Sequence, residues 1–172
     1  MIRKATKNDI ERISEIIDNI HTAEEKGELT IGWMRDVYPT IKTAEDALVR
    51  GDIFVFEDGN EITGTAIINQ IQVDAYAKAK WEYEVPDDEV MVLHTLMISP
   101  KHSGKGCGRK FVEFYEKYAA DNGCNYLRMD TNEKNLRARK MYSGMGYKEI
   151  GKEECKFNGI PGVYLILLEK KL

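Results

Sequence analysis

Residues Val90–Ile98 read VMVLHTLMI, and Ser99–Arg109 follow directly as SPKHSGKGCGR. An apolar run stops at Pro100, glycines alternate at Gly104, Gly106 and Gly108, and a helical pattern begins after them. Strand, glycine loop and helix together make a device for holding phosphate. Glycine permits positive φ and close approach of the backbone, and the unpaired N–H groups of a first helical turn carry partial positive charge. The ligand expected here is therefore anionic. A P-loop is excluded, because the Gly104-Lys105 pair is followed by Gly106 where Ser or Thr is required. A dinucleotide fingerprint is excluded too, because counting from Gly104 puts Arg109 at the third glycine.

The remaining device fits. SGKGCG, Ser103–Gly108, resembles the coenzyme A pyrophosphate loop of the GNAT superfamily of N-acetyltransferases, [QR]-x-x-G-x-[GA], with Gly106 and Gly108 in register and Ser103 in place of Gln or Arg. That replacement removes one side-chain contact and leaves the backbone amides. A second motif is independent of the first. NLRARKMYSGMGY, Asn135–Tyr147, is similar to the family's N-x-x-A-x-x-[LM]-Y-x-x-x-G-[FY] helix at Asn135, Ala138, Met141, Tyr142, Gly146 and Tyr147.

The resemblance implies an α/β (α+β) fold with a central mixed sheet of six or seven strands, flanked by helices and with one splayed central strand. It implies acetyl-CoA as co-substrate, no metal, and direct attack by a primary amine of a small molecule or peptide. Leu96, Met97 and Ile98 would hydrogen-bond the pantetheine arm by main chain, as an added strand does. Ser103, Gly104, Lys105, Gly106, Cys107, Gly108 and Arg109 would hold the pyrophosphate, with Lys110 as a further source of charge. Asn135 would contact the cofactor or cap its helix. Tyr142 would give the departing thiolate its proton, since a phenol of pKa about 10 is protonated at neutral pH; the alternative is a core aromatic. His94, with an ordinary pKa of about 6.5, is the candidate base, against a hydrogen-bonded strand histidine. Glu82 or Glu84 acting through water is another route. Cys107 is expected to face the core. Two rival readings are a transferase for longer acyl-CoA and a non-catalytic coenzyme A sensor.

The rest of the chain is consistent with one domain spanning 1–172: 172 residues at 42% hydrophobic content suffice for a single full core. Lys and Arg number 25 against 29 Asp and Glu, so no global basic field points to nucleic acid. Cys107, Cys124 and Cys155 have no CxxC spacing, and the charged N-terminus MIRKATKNDIERI is unlike a signal peptide. These features suit a cytoplasmic protein with no membrane partner, and a homodimer is compatible with them.

Pattern supplies the other elements. A strand is predicted at 2–5, and a helix from the Thr6/Asp9 box to about Lys26. Trp33, Met34, Val37 and Tyr38 have helical spacing, and a short helix is predicted after Thr43. The Asp58-Gly59 pair marks a hairpin between 52–57 and 61–69. Residues 74–81 read as a short helix or insertion, and the five acidic residues of Glu82–Glu89 as a solvated loop or a lure for a cationic amine. A helix closing at Gly123, a strand at 126–131, a helix at 133–144 and strands at 147–156 and 163–170 complete the chain. Trp33, Tyr38, Trp81 and Tyr83 are candidates to line the acceptor space.

Overall fold

A computed structural model describes all residues, Met1–Leu172. The apolar run becomes strand β4 (Val90–Ile98), the middle strand of a seven-stranded sheet. Across the sheet the order is β1 (Ile2–Lys4), β2 (Ile53–Asp58), β3 (Glu61–Asn69), β4, β5 (Tyr126–Asn132), β7 (Ile160–Lys171) and β6 (Lys148–Phe157). All neighbours are antiparallel except β4 and β5. A parallel pair needs a crossover, and helix α3 (Cys107–Asp121) supplies it.

The β4–β5 pairing is short. It joins Val90–Leu93 to Tyr126–Met129, after which β4 continues to Ile98 and β5 to Asn132 without pairing each other. The divergence has a local cause. Against β3, Met97 is opposite Thr65 and His94 is opposite Ile67, so an extra residue is bulged into β4. Thr95 takes φ 49° there, a rare conformation for a β-branched residue. Its hydroxyl is hydrogen-bonded to that of Tyr38. A wedge opens in the middle of the sheet as a result.

Helices cover both faces. Phe111, Val112, Tyr115 and Ala119 of α3 are buried with Met91, Leu93, Leu127 and Met129, and α4 (Leu136–Ser143) adds Tyr142. On the other face, Ile13, Ile16, Ile17 and Ile20 of α1 (Ile10–Glu25) and two alanines of α2 (Ile41–Arg50) pack on Ile53, Val55 and Met97. Segment 70–89 extends that layer, laying Tyr76 on Val90, Val92, Leu165 and Leu167.

Most predicted elements form within a few residues of their expected limits. One does not. Trp33–Tyr38 is not helical; it is a loop whose only ladder contact is a bridge between Met34 and Tyr38. Gly32 and Asp36 take φ 83° and 59°, and the Glu24 carboxylate accepts the N–H groups of Ile31 and Gly32 at 2.8 and 2.6 Å. The short helix expected after Thr43 begins slightly earlier, at Ile41, with Thr40 at its N-cap. Strand β7 begins at Ile160, because Asn158 and Gly159 both take positive φ, the pair that a two-residue hairpin turn requires.

The Thr6/Asp9 box forms as expected. Asp9 accepts Thr6 N–H at 2.7 Å and the Arg3 guanidinium at 2.8 and 3.0 Å, which holds its carboxyl down at about 2. Asp9→Ala is expected to cost about 1.5–3 kcal/mol in urea denaturation, the range for a hydrogen bond to a charged group. A depressed carboxyl stabilises above its unfolded value of about 3.9, and this contribution is lost as pH falls toward about 2. The gap between variant and parent should therefore narrow in acid.

Candidate active site

The wedge leads into one cavity of about 920 Å³, at the large end of ligand sites. Its walls come from β4 and β5, the glycine loop, α4, and the loop between α1 and α2. Leu96, Met97 and Ile98 line it, with the Met97 side chain buried toward α1 and Leu96 and Ile98 packed toward α3. Ser103, Gly104, Gly106, Cys107, Gly108, Arg109, Asn135, His94 and Tyr142 line it as well. Of the predicted loop residues from Ser103 to Arg109, Lys105 alone stays outside the wall. Lys110 turns away, its ammonium 5.8 Å from the Phe56 ring centre.

The glycine loop is shaped for an anion. Gly104 and Gly106 have φ 82° and 79°, and a 3-10 turn at Pro100–His102 leads into them. The N–H groups of Gly104, Gly106, Cys107, Gly108 and Arg109 make no backbone hydrogen bond. They gather at the start of a 15-residue helix, where the helix field favours negative charge. Gly108 is small for a second reason: a Cβ there would lie 3.3 Å from the Met141 sulfur, so α3 and α4 approach closely. Cys107 is buried in the core, as expected. Asn135 caps α4, its Oδ1 accepting Ala138 N–H at 3.2 Å.

Tyr142 is buried at the inner end of α4, facing the cavity. Burial, then the charge of Asp130, pushes its phenol pKa well above the ordinary value. His94 Nε2 is 3.0 Å from Asn69 Oδ1, and burial pushes its pKa down to about 4. It is therefore neutral near pH 7 and a weaker base than an ordinary histidine. The Glu82–Glu89 stretch does not reach the cavity. Glu82 pairs with Lys148 at 2.9 Å, Trp81 stacks over Arg128 and Tyr83 packs on Tyr126, so of the four candidate aromatics only Trp33 and Tyr38 line the cavity. Phe157 joins them, its ring centre 5.4 Å from that of Tyr38 and edge-on to it.

This geometry can be set beside known proteins. The acetyltransferase (GNAT) family model matches residues 14–147. The chain belongs to the GNAT family. It is similar to thialysine N-epsilon-acetyltransferase of Bos taurus, 26% identical over 82 residues, which are 48% of each protein; the chain thus spans about half the length of this curated relative. A GNAT acetyltransferase structure from Streptococcus agalactiae superposes with TM-score 0.82 at 22% identity, over 100% of this chain and 95% of the other. A Salmonella typhimurium protein solved with its cofactor acetyl-CoA superposes with TM-score 0.70 at 19% identity, over 100% and 93%. At these identities the structures speak for the fold.

Two residues of this GNAT chain escaped the sequence reading. Arg137 on α4 reaches the loop and donates to Ser103 Oγ. Asp130 on β5 lies deep in the cavity wall, and burial raises its carboxyl to about 6 although the Tyr76 hydroxyl donates to Oδ2 at 2.7 Å. Its only trace in sequence is a carboxylate within the run YLRMDTN, two positions from another charge.

Proposed function

We propose that residues 1–172 act as one N-acetyltransferase domain, moving an acetyl group from acetyl-CoA to a primary amine of a small molecule or peptide by direct attack in a ternary complex. The observation that carries this reading is the continuity of the cavity. One space joins the unpaired amides of the glycine loop, the open edge of β4, and the Tyr142 and Asp130 side chains.

Each part of the wall has a task. Loop amides with Arg109 and Arg137 hold the pyrophosphate; the main chain of Leu96–Ile98 takes the pantetheine arm as an added strand. A main-chain donor there also steadies the oxygen that gains charge during attack, an effect worth about 3–4 kcal/mol. Acetyl-CoA itself supplies the activated acyl carbon. Asp130, largely ionised at neutral pH with a pKa of about 6, takes the amine's proton. Tyr142, protonated before the step at any working pH, donates to the departing sulfur. His94 is left to order the strand edge through Asn69. Trp33, Tyr38 and Phe157 form the acceptor wall and favour an amine on an apolar or aromatic body. A cytoplasmic setting suits this donor and the three unpaired thiols.

The test is release of free thiol from acetyl-CoA across polyamines, amino acids, aminoglycosides and peptide N-termini. Stimulated release with at least one amine is expected; binding without release from any amine would favour a sensor. Coenzyme A at about 100 times its dissociation constant should raise stability by about 2.7 kcal/mol, and no shift would remove the reading altogether. Arg137→Ala should weaken coenzyme A about five- to tenfold, the loss of one charge-assisted contact on a partly exposed site. In a calorimetric titration at rising salt, the parent and the variant should converge.

A further inference from the structure

Segment 70–89 is stapled to the sheet beside the active site rather than draped over it. Arg128, nearly fully buried on β5, donates to Gln72 Oε1 at 2.6 Å and to the Tyr83 carbonyl at 2.9 Å, and lies 4.1 Å from the Trp81 ring centre. Glu169 on β7 accepts Glu82 N–H at 2.8 Å and lies 3.6 Å from Arg128. Trp81 in turn donates its indole N–H to the Tyr76 carbonyl at 3.0 Å and packs edge-on to the Tyr76 ring. Successive side chains on a strand alternate faces, so Arg128 and Asp130 lie on the same side of β5. The staple at Arg128 therefore sets where Tyr76 meets Asp130.

We propose that Tyr76 is a positioning residue for the transfer: its hydroxyl, bonded to Oδ2 of Asp130, fixes the carboxylate and keeps it ionised, leaving Oδ1 for the incoming amine. The proposal rests on Asp130 being the base. A donor to a carboxylate favours its charged form, opposing the burial that favours the acid. The other groups facing Asp130 are Tyr38 from the α1–α2 loop, Tyr142 from α4 and Cys155 from β6, with Lys78 near Cys155. Burial raises the pKa of all three, Tyr38 to about 12, so none is charged at neutral pH. Arg128, the nearest cation along the strand, is engaged by Glu169. Among these neighbours, Tyr76 is the one whose hydrogen bond holds the carboxylate in its charged form.

Tyr76→Phe removes one oxygen and keeps the ring. Its acid limb in kcat/KM should move to higher pH by at least about half a unit, so that activity near pH 6 falls about twofold more than activity near pH 9, with KM for acetyl-CoA unchanged. Carboxyl-carbon NMR on the free protein gives a second readout, the Asp130 signal being the one lost in Asp130→Asn. Its midpoint should rise by the same amount in Tyr76→Phe. An unmoved midpoint would overturn the proposal, even if activity fell. If Asp130→Asn retains the acid limb, Asp130 is not the base and the catalytic role given to Tyr76 falls with it, whatever the NMR midpoint does. Should Tyr76→Phe fold poorly, Trp81→Phe, which frees the Tyr76 carbonyl, should shift the same midpoint in the same direction, and no shift there counts against the proposal.

Discussion

Tyr142→Phe should lower kcat by about a hundredfold or more, the usual worth of a positioned acid, while leaving the dissociation constant for acetyl-CoA nearly unchanged. The ring is buried among Phe111, Tyr115 and Tyr147, so the phenylalanine keeps the packing and loses only the donor. Burial makes this phenol a weaker acid than usual, and complete transfer to a free thiolate would be uphill. The donor must therefore act as the carbon–sulfur bond breaks, sharing its proton with a sulfur whose charge is still growing. The high pKa also means that Tyr142 stays protonated across the working range, so it should produce no alkaline limb below about pH 10. Steady-state kinetics with parallel calorimetric titrations decide the matter. Full turnover in the variant would make Tyr142 a core aromatic and nothing more.

Asp130→Asn should move activity and stability in opposite directions. With Asp130 as the proposed base, its loss should cost about a hundredfold in kcat/KM at neutral pH and remove the acid limb. The fold should gain. Burial raises the native carboxyl to about 6, above the unfolded value of about 3.9, so the native state binds the proton more tightly. Stability therefore falls as pH rises through that window and stays lower above it. Asparagine carries no charge to bury, and its amide oxygen still accepts the Tyr76 hydroxyl. Melting curves should show the variant drawing ahead of the parent between about pH 4 and pH 6. A variant that melts lower at neutral pH would mean the carboxylate is better solvated than its position indicates.

Those two residues differ in how visible they were beforehand. Tyr142 sits in a local motif, since a helix carries its own spacing in the chain, and the glycine loop declares itself in the same way. Asp130 gains its meaning from contacts that no window contains. Its partner Tyr76 lies 54 residues away, and its access to the cavity depends on β5 leaving β4 after Met129. The bulge that causes this divergence was equally hidden, because VMVLHTLMI reads as an unbroken buried strand and Thr95 has no glycine-like signature. Trp33–Tyr38 misled for the opposite reason. Its apolar spacing is real, but it is met by a loop folded over left-handed residues and anchored by Glu24, in the last turn of α1.

The two walls of the cavity are written in different parts of the chain. The side proposed for coenzyme A is contiguous, from Leu96 to Tyr142, whereas the opposite side is assembled from the α1–α2 loop, Ile71 and Val73, and the β6–β7 turn. An engineer can therefore exchange the second set between scaffolds while the first stays fixed. On the function proposed here, mutations that retarget the protein to a new amine should accumulate around Trp33, Tyr38 and Phe157 and leave coenzyme A binding intact.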